Sequence, residues 1–596
     1  MVKVRIFSVL VESLVYSSFL LSGSATSSHA FQQFLSPDFE VSSGKSTVED
    51  SIIVQQSPNP NRDRLLPSGS PIPVTLPENL EPIPDERTVE DPTTSEPLPS
   101  PPDDQIQFSI ESIQVVGNTV LSDADITAIT APFVDQIVTL SDLQQVSDSI
   151  TQLYLELGYI TSRAILPEQS IIGGIVQIQV REGSISNIQV NGLSRLNTRY
   201  ITSRLEQGVT TPFNANTLEE QLRLLRFDPL VEKIQGRLQP SDIPGESILN
   251  INVDEVGAWR IGAGVNNYGS PGTGSERLNT SLAYQNVSGW GDTLSASYTR
   301  STTGGANTWD IGYRLPVNAL DGAFSLRTAF DNFELTQGPF SGQINGDSDR
   351  YEISFRQPLI RSLREEFAIS TGFSYRDGKT FIGPQSIANP DNTLSSRTSI
   401  FKFGQDYTSR DNRGVWGLRS QFSFGTGLFD ATDNPGDTAD SQFFSWLGQA
   451  QRVQRLSSDN LLIVQADLQL TPDRLLPVEQ FLIGGGQSLR GYRQNVRSGD
   501  NGFRLSVEDR ITLTRDEETE NAVIQIAPFF DIGAVWNNGN STVNQNFIAG
   551  AGLGFIYDPF ESFNLRIDYA LPLVILEDEG NNAQDEGFYF SATYQY

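Results

Sequence analysis

The stretch FLIGGGQSLRGY, from Phe481 to Tyr492, places three consecutive glycines shortly before an arginine, Arg490. It lies in a glycine-rich segment, about residues 472–502, and the sequence on either side alternates apolar and polar residues. Alternation with a period of two is typical of β-strands, because successive side chains point to opposite faces of a sheet. We predict that this segment folds back into the lumen of a membrane β-barrel, where a carboxylate of the inner wall holds Arg490.

Similar alternating runs continue from residue 257 to residue 596. About sixteen runs of roughly ten residues occur there, the length at which a tilted strand crosses a bilayer. Examples are LIVQADLQL at 462–470 and FNLRIDYAL at 563–571. The pattern predicts a β-barrel membrane protein in which residues 257–596 form a 16-stranded antiparallel transmembrane barrel. The alternative is a soluble sandwich or propeller, but the uniform run length and an export signal favour the barrel.

The N-terminal region has the pattern of an exported protein. Two bases precede an apolar run over residues 6–21, and SHA at 28–30 provides a small-residue cleavage site. Residues 31–106 are rich in proline and in acidic residues, so they cannot bury enough apolar area to fold. We predict that residues 1–30 are a signal peptide and that residues 31–106 are a disordered, proline-rich, acidic linker.

The composition excludes several classes of function. The chain has no cysteine, its only histidine is His29 and its only methionine is Met1, so a chain cleaved after residue 30 lacks all three residue types. Disulfides, thiolate or histidine metal sites and histidine-based catalytic triads are thereby excluded. A net charge of -31 argues against a nucleic-acid partner. No G-x-x-x-x-G-K-S/T segment for ATP occurs, and we expect no enzymatic activity, no metal and no cofactor.

Two small modules of helix and strand are predicted between the linker and the barrel. The sequence IQVVG at Ile113–Gly117 is echoed by IQVNG at Ile188–Gly192, 75 residues later. The order strand, helix, helix, strand, strand recurs over residues 107–183 and 184–256. We therefore predict two copies of one α/β module.

Two helix starts are predicted within these modules. Ser141 is the expected cap of the longer helix in the first module. In the second module, the run Thr217–Glu220 has the form of a capping box. Neither module carries a catalytic motif.

A carboxylate that could bind Arg490 occurs in the run FFDIG at 529–533. Alternation places Phe529, Asp531 and Gly533 on one face of the predicted strand. Arginine offers a planar fork that binds a carboxylate through two hydrogen bonds, and Gly533 leaves room for an approaching backbone. The strand before it adds a polar network to the same predicted wall, from Arg504, Ser506, Glu508 and Arg510. The alternative interpretation of Arg490 is a solvated loop arginine.

Three motifs resemble those of a known family, and they occur in the order in which that family carries them. They are the loop motif Leu489, Arg490, Gly491 and Tyr492, the wall motif at 529–533, and the run from Gly158 to Gln169. From about residue 107 to 596 the chain resembles the outer-membrane transporters of two-partner secretion, the haemolysin-activator and filamentous-haemagglutinin transporter family. Its superfamily includes the barrel-assembly insertases. The resemblance implies two polypeptide-transport-associated (POTRA) modules in the periplasm before a sixteen-stranded barrel in the outer membrane.

The resemblance also implies a function and partners. The periplasmic modules would catch one large unfolded exoprotein by adding its strand to a sheet edge, and the exoprotein would cross the barrel lumen without ATP. Known members can carry an N-terminal plug helix, which is not evident in this sequence. Further partners would be outer-membrane lipid and the barrel-assembly machinery. That machinery would read the aromatic residues of the last strand, Phe588, Phe590, Tyr594 and Tyr596.

Other functions compete with this one. An insertase that builds other barrels, or a protein-import channel of an outer envelope, would share the loop motif but tends to carry more than two modules. A diffusion porin would need neither the modules nor the loop motif. A barrel enzyme such as a lipase or protease is disfavoured because the processed chain lacks histidine.

Overall fold

The computed structural model describes the chain from residue 107 onward and one short strand before it, β1 (Val89–Glu90). It does not describe residues 339–340, 384–392, 437, 540–542 and 579. The signal peptide predicted at residues 1–30 and the linker predicted at 31–106 lie outside the described residues, apart from β1. Among the helices of the described part, none combines the length and the apolar character needed to cross a membrane.

The first module packs two helices against small sheets. Its elements are β2 (Gln107–Ile110), β3 (Ser112–Val116), α1 (Asp123–Thr130), β4 (Gln136–Thr139), α2 (Leu140–Glu156), β5 (Arg163–Ile165) and β6 (Ile175–Arg181). β6 pairs in parallel with β3 and antiparallel with β5, while β2 and β4 form a separate antiparallel pair. The apolar spacing of α2 brings Val146, Ile150 and Tyr154 into one core with Ile178.

Two details of the first module differ from the sequence prediction. Strand β4 is not predicted, because four residues are too few to show a period. The prediction of Ser141 as the helix cap is wrong, since Thr139 caps α2. Thr139 and Asp142 exchange hydrogen bonds in a capping box, which satisfies two amides at the helix start.

The second module has the order strand, helix, helix, strand, strand, which the first module also follows apart from its additional pair β2 and β4. Its elements are β7 (Ser184–Asn191), α3 (Thr198–Leu205), α4 (Ala215–Arg226), β8 (Val231–Pro240) and β9 (Glu246–Glu255). β9 pairs in parallel with β7 and antiparallel with β8, and β1 adds two residues in parallel to β8. Ile201, Leu222 and Ile251 join both helices and the sheet in one core. The capping box predicted at Thr217–Glu220 is wrong, because α4 begins before it and the side chain of Asn214 caps it.

Both modules turn at a glycine after the strand that carries the repeated motif. Gly117 and Gly192 have φ angles of +82° and +89°, and a Cβ on them would lie 2.4 and 2.2 Å from the carbonyl oxygens of Val180 and Val253. Only glycine meets both conditions. Two residues beyond each valine, a glutamate accepts amides of the loop that follows the glycine: Glu182 from Thr119, and Glu255 from Ser194, Arg195 and Leu196.

The strands from residue 259 onward form a barrel and one small hairpin. They are β10 (Trp259–Asn266), β11 (Arg277–Gln285), β12 (Thr293–Ser301), β13 (Ala306–Pro316), β14 (Ala323–Glu334), β15 (Ile344–Arg361), β16 (Glu365–Ile382), β17 (Thr393–Asp411), β18 (Gly414–Thr426), β19 (Phe444–Arg455), β20 (Asn460–Leu470), β21 (Phe481–Ile483), β22 (Arg497–Gly499), β23 (Asn501–Arg515), β24 (Ala522–Trp536), β25 (Phe547–Phe560), β26 (Phe563–Pro572) and β27 (Phe588–Gln595). β21 and β22 form their own two-stranded sheet, and the other sixteen strands close into one antiparallel barrel through the pairing of β10 with β27. The predicted sixteen-stranded barrel is confirmed.

The barrel has a polar inner face and an apolar outer face. On β26, Asp568 is 1% exposed, whereas Tyr569 and Leu571 on the opposite face are 53% and 55% exposed. On β20, Gln465 and Asp467 are likewise buried. The alternation alone does not say which face is inside. The structure places the polar face inside, which is the arrangement that a hydrated lumen within a bilayer requires.

Candidate functional site

The segment between β20 and β23 folds into the barrel. It enters and leaves through the β21–β22 hairpin, in which Phe481 pairs with Gly499 and Ile483 with Arg497. At the hairpin tip, Gly484 has a φ of +108°, and a Cβ there would lie 2.7 Å from a carbonyl oxygen of the returning chain. Glycine is therefore required where the loop folds back on itself.

Arg490 is buried against the inner wall of the barrel and forms hydrogen bonds with it. Its Nε and Nη2 donate to Asp531 at 2.6 and 2.8 Å, and its backbone amide donates to the same carboxylate at 3.1 Å. Its Nη1 donates to Glu508 at 2.7 Å and its Nη2 also lies 3.3 Å from the hydroxyl of Ser506. The ring of Phe529 lies 3.3 Å from the guanidinium carbon, and the arginine is 2% exposed. The loop tip is therefore bound to both β23 and β24.

Glu508 connects Arg490 to two further arginines. It accepts hydrogen bonds from Arg510 at 2.9 Å and from Arg566 at 2.7 Å. Arg566 also donates to Asp568 at 2.8 Å, and Asp568 lies 3.9 Å from Arg490. Burial of charge is tolerated only where charges are paired and hydrogen-bonded. We call the balanced set the lumenal cluster; it contains Arg490, Arg510, Arg566, Glu508, Asp531 and Asp568.

The structure divides the polar residues of β23 between two groups. Glu508 and Arg510 belong to the lumenal cluster, and Ser506 donates to Asp531 at 2.7 Å. Arg504 is placed elsewhere, with its Nε 2.5 Å from Asp467, the residue directly opposite it on β20. The inner wall therefore carries the Arg504–Asp467 pair in addition to the lumenal cluster, rather than one network around Arg490.

Arg566 and Asp568 are members of the cluster that the sequence analysis does not single out. Their alternation with Leu565, Ile567 and Tyr569 on β26 indicates a polar face, as in other strands. That pattern does not say which wall the loop reaches. The wall that the loop contacts depends on the arrangement of all the strands in the barrel. The alternation therefore identifies a polar face of β26 but does not identify Arg566 and Asp568 as members of the cluster.

Tyr492 and Tyr589 fix the remainder of the loop motif. The Tyr589 hydroxyl donates to the carbonyl oxygen of Tyr492 at 2.7 Å and accepts the amide of Gly491 at 2.9 Å. The Tyr492 hydroxyl donates to the carbonyl oxygen of Ala549 at 2.6 Å and accepts the amide of Val574 at 3.1 Å. Both rings are buried. Tyr589 is not predicted, since it stands among outward-facing aromatic residues of β27.

Two glycines of the wall allow the loop to approach. A Cβ on Gly533 would lie 2.6 Å from a methyl carbon of Leu489, so the group beside this glycine is a side chain and not the backbone that the sequence analysis expects. A Cβ on Gly550 would lie 2.0 Å from the carbonyl oxygen of Arg490. The backbone oxygen at Gly550 cannot give way as the leucine side chain at Gly533 can, so Gly550 is the position that needs glycine while the loop contacts the wall.

The aromatic residues predicted as an assembly signal lie on or just beyond β27. Phe588 and Tyr594 are 39% and 46% exposed, and Tyr596 is 78% exposed. Phe590 lies on the same outward face and packs near Phe588, with ring centroids 6.3 Å apart. These side chains therefore lie on the outer side of the barrel, on or just beyond the strand that closes it.

The site has the chemistry of a structural contact that fixes the loop to the wall. Its charged groups bind one another, and the tyrosine hydroxyls bind backbone groups. Within the described ranges, no group of three or more His, Cys, Asp or Glu side chains is arranged to hold a metal. What the arrangement can do is hold a loop inside a polar lumen or, when disrupted, release it.

Comparisons with family models identify two parts of the chain. The haemolysin secretion/activation protein ShlB/FhaC/HecB model matches residues 245–557, which is more than half of the chain. The ShlB-type POTRA domain model matches residues 108–183, the first module.

Individual relatives agree with these matches. The outer membrane transporter CdiB of Escherichia coli is 28% identical over 414 residues, which cover 67% of this chain and 68% of CdiB. The haem/haemopexin transporter protein HuxB of Haemophilus influenzae is 22% identical over 506 residues, which cover 82% of this chain and 87% of HuxB.

Solved structures share the fold. CdiB from Escherichia coli aligns with a TM-score of 0.61 at 24% identity, covering 84% of this chain and 93% of that one. BamA from Haemophilus ducreyi, lacking its first three POTRA domains, aligns with a TM-score of 0.51 at 15% identity, covering 82% of this chain and all of that one. The fold of this chain, a closed sixteen-stranded barrel behind a POTRA module, is thus similar to the folds of both solved structures. The chain belongs to the haemolysin secretion/activation protein family of ShlB, FhaC and HecB, the outer-membrane transporters of two-partner secretion.

Proposed function

We propose that this protein captures one large unfolded exoprotein in the periplasm and passes it through its barrel lumen to the cell surface without ATP. The observation that carries the proposal is the loop of Arg490, which fills part of a polar lumen and is held there by a charge-balanced cluster. A loop that ion pairs fix to a hydrated wall can block a pore, and it can be displaced without unfolding the barrel.

Capture is proposed to occur by strand addition in the two modules. In the first module β3 and β5 are the outer strands of the sheet, and in the second β7 is an outer strand. An outer strand offers unpaired main-chain groups, which bind an extended segment of almost any sequence. Such binding suits a partner that arrives unfolded.

Passage is proposed to follow the polar inner wall. An extended chain exposes a polar group at every peptide, so it needs a lining that replaces water, and the inward residues of the strands provide one. No ATP-binding motif occurs in the sequence. The energy for directional movement then comes from folding of the exoprotein outside the cell.

Insertion of the protein itself is proposed to depend on the outward aromatic residues of the last strand. Phe588, Phe590, Tyr594 and Tyr596 face lipid at the closing strand, where the barrel-assembly machinery would read them. Replacing all four by serine should lower the amount of barrel in the membrane. A barrel that inserts normally after this change would contradict the proposal.

A deletion experiment tests the function against its closest alternative, an insertase or import channel. Cells lacking the gene are compared with complemented cells for proteins in the culture medium and for barrels in the outer membrane. Loss of one large secreted protein with normal outer-membrane content is the expected result. A general loss of barrels would contradict secretion and support an insertase.

Reconstitution of the protein in vesicles separates protein secretion from passive diffusion. It also tests whether translocation of the exoprotein is independent of ATP. Purified protein is placed in vesicles, and the exoprotein identified by the deletion is added unfolded without nucleotide. Accumulation of protease-protected exoprotein in the vesicles is expected. Protection that appears only when ATP is supplied would overturn the energy source that is proposed.

A further inference from the structure

The second module is docked against two turns at the barrel end to which it is joined. Only residues 256–258 separate β9 from β10. The amide of Asn197 donates to the carbonyl oxygen of Gly289 at 2.8 Å, in the turn between β11 and β12. Arg195 donates to the carbonyl oxygen of Gln285 at 3.1 Å. The loop before α3 therefore lies directly on the barrel rim.

Tyr200, on α3, fills the space beside the same turn. A Cβ on Gly291, whose φ is +80°, would lie 2.3 Å from the tyrosine ring. The glycine therefore permits the ring to contact the turn backbone. The Tyr200 hydroxyl donates to Asp228 at 2.8 Å, which anchors the ring within the module.

Arg204 extends the contact to a second turn. Its guanidinium carbon lies 3.5 Å from the Tyr200 ring centroid, and its Nη2 lies 3.3 Å from Asp321 in the turn between β13 and β14. On its own module it approaches Asp228 at 4.0 Å. Arg204 is 6% exposed, and a buried arginine is tolerated only when it is paired. Its pairing partners lie on both sides of the interface.

Asp321 forms ion pairs with three arginines from different elements. Besides Arg204, it binds Arg314 of β13 at 2.7 Å and Arg361 at the end of β15 at 3.7 Å. Burial by itself would raise the pKa of Asp321, but Arg314, Arg361 and Arg204 outweigh it and hold the pKa well below the usual carboxyl range. The carboxylate is therefore ionised at neutral pH. It links Arg314 and Arg361 of the barrel to Arg204 of the module.

We propose that Arg204 is a positioning residue, which fixes the second module against the Asp321 turn and so sets the orientation in which a captured chain is presented to the pore. This positioning role rests on the proposed function, because only a secretion pore needs a captured chain to be presented to its opening. A captured chain can thread efficiently only if the sheet edge that holds it keeps a constant distance from the barrel opening. The contact at Arg204 and the backbone bonds of Arg195 and Asn197 hold the module at three points of α3 and its preceding loop.

The absence of cysteine makes the docking measurable. Cysteines introduced at two exposed positions, Gln207→Cys on the module and Glu517→Cys on the turn between β23 and β24, carry spin labels for distance measurement in the full chain. We expect one narrow distance distribution. Arg204→Ala should broaden it and should lower the rate of secretion several-fold at equal amounts of inserted barrel.

Three further single variants and one double variant separate docking from a loss of folding. Arg199→Ala removes an exposed arginine from the same helix and should change neither readout. Arg204→Lys keeps the charge but loses the planar fork and the stacking on Tyr200, so it should fall between wild type and Arg204→Ala in both readouts. Asp321→Asn should act like Arg204→Ala, and the double variant should be little worse than either change alone.

The outcomes decide separately on docking and on function. An unchanged distance distribution in Arg204→Ala would show that this residue does not dock the module. A broadened distribution with secretion at the wild-type rate would overturn the positioning role. If deletion of the whole gene leaves the culture medium unchanged, the proposed function fails, and the positioning role that rests on it is overturned with it.

Discussion

At Arg490 the guanidinium uses Nε, Nη1 and Nη2 against two carboxylates while the ring of Phe529 covers its face. The backbone amide of the same residue binds Asp531 as well. One side chain thus fixes both the position and the direction of the loop. A lysine could supply the charge but not the fork, because its ammonium is a single point donor.

Breaking this contact should impair export without removing the barrel from the membrane. Arg490→Ala leaves Asp531 and Glu508 short of a cation inside the barrel, a change that costs on the order of 3–5 kcal/mol for a buried pair. Asp531→Asn should act in the same direction and add little to Arg490→Ala, because each change removes the same contact. Secretion is measured at equal barrel content in the outer membrane.

Arg493→Ala is the matched control for this pair. Arg493 belongs to the same loop but is more exposed and binds Asp578 and Asp585 near the loop exit rather than the lumenal cluster. We expect a small effect on secretion. Strictly additive losses from Arg490→Ala and Asp531→Asn would mean that the two residues do not act as a pair.

Substitution of Gly550 tests whether the loop lies against the barrel wall, and it removes no charged group. In Gly550→Ala the new methyl group would lie 2.0 Å from the carbonyl oxygen of Arg490, so the loop must move away from the wall. The control is Gly378→Ala, in which the nearest atom to the added carbon is 3.4 Å away. Limited proteolysis of the loop in intact membranes should be faster in Gly550→Ala alone. Equal rates in the two variants would contradict the seated position.

Among the elements, the barrel strands follow from the sequence more fully than the contacts between them. Each strand carries its own period, so the two faces of β20 or β26 can be assigned from local sequence alone. The pair Arg504–Asp467 depends instead on the register between β20 and β23, which are separated by the whole inserted loop. The assignment of Arg504 to the network of Glu508 therefore could not be tested by pattern alone.

The prediction of helix starts from sequence has a similar limit, even where the competing residues are close together in the chain. Both Thr139 and Ser141 can act as caps by residue type, and their positions differ by only two residues. The carboxylate of Asp142 decides between them, because it lies three residues after Thr139 and returns a hydrogen bond to its amide. The residue three positions onward does not decide between them from sequence alone, because Gln144 follows Ser141 at that spacing and also fits a capping box.

The first module should lose stability when this cap is removed. Thr139→Ala should destabilise α2 by about 1 kcal/mol, whereas Ser141→Ala should have little effect. The Thr139 amide and hydroxyl lower the pKa of Asp142. A lowered folded pKa means that the stabilising effect is present above the ordinary carboxyl pKa and is lost as pH falls through the folded value.

The measurement is chemical unfolding of the full chain in detergent, followed by the helical circular-dichroism signal. At neutral pH the Thr139→Ala midpoint should lie below that of Ser141→Ala. In acid, below the folded pKa of Asp142, the difference should shrink. A difference that stays constant over this range would show that the carboxylate does not support the cap.

On the scale of the whole molecule, the barrel and its loop are held by separate interactions. All sixteen barrel strands have two barrel neighbours, and none of these ladders includes the loop hairpin β21–β22. The loop is retained by side chains, chiefly the lumenal cluster and the two tyrosines. The wall can therefore persist while the lumen changes its contents.

Excision of the loop tip should accordingly open the pore and leave the barrel closed. Replacing residues 485–494 by a short Gly-Ser linker removes Arg490 and leaves Arg510 and Arg566 facing three carboxylates. Single-channel recordings in planar bilayers should show a larger conductance than wild type and a shift towards cation selectivity, because the excision removes two positive charges, Arg490 and Arg493, from the lumen. Arg493→Ala, which keeps the loop length and the cluster, should conduct like wild type. Equal conductance of the excised and intact proteins would mean that the loop does not obstruct the lumen, and the stopper proposed for the resting pore would have to lie elsewhere in the chain.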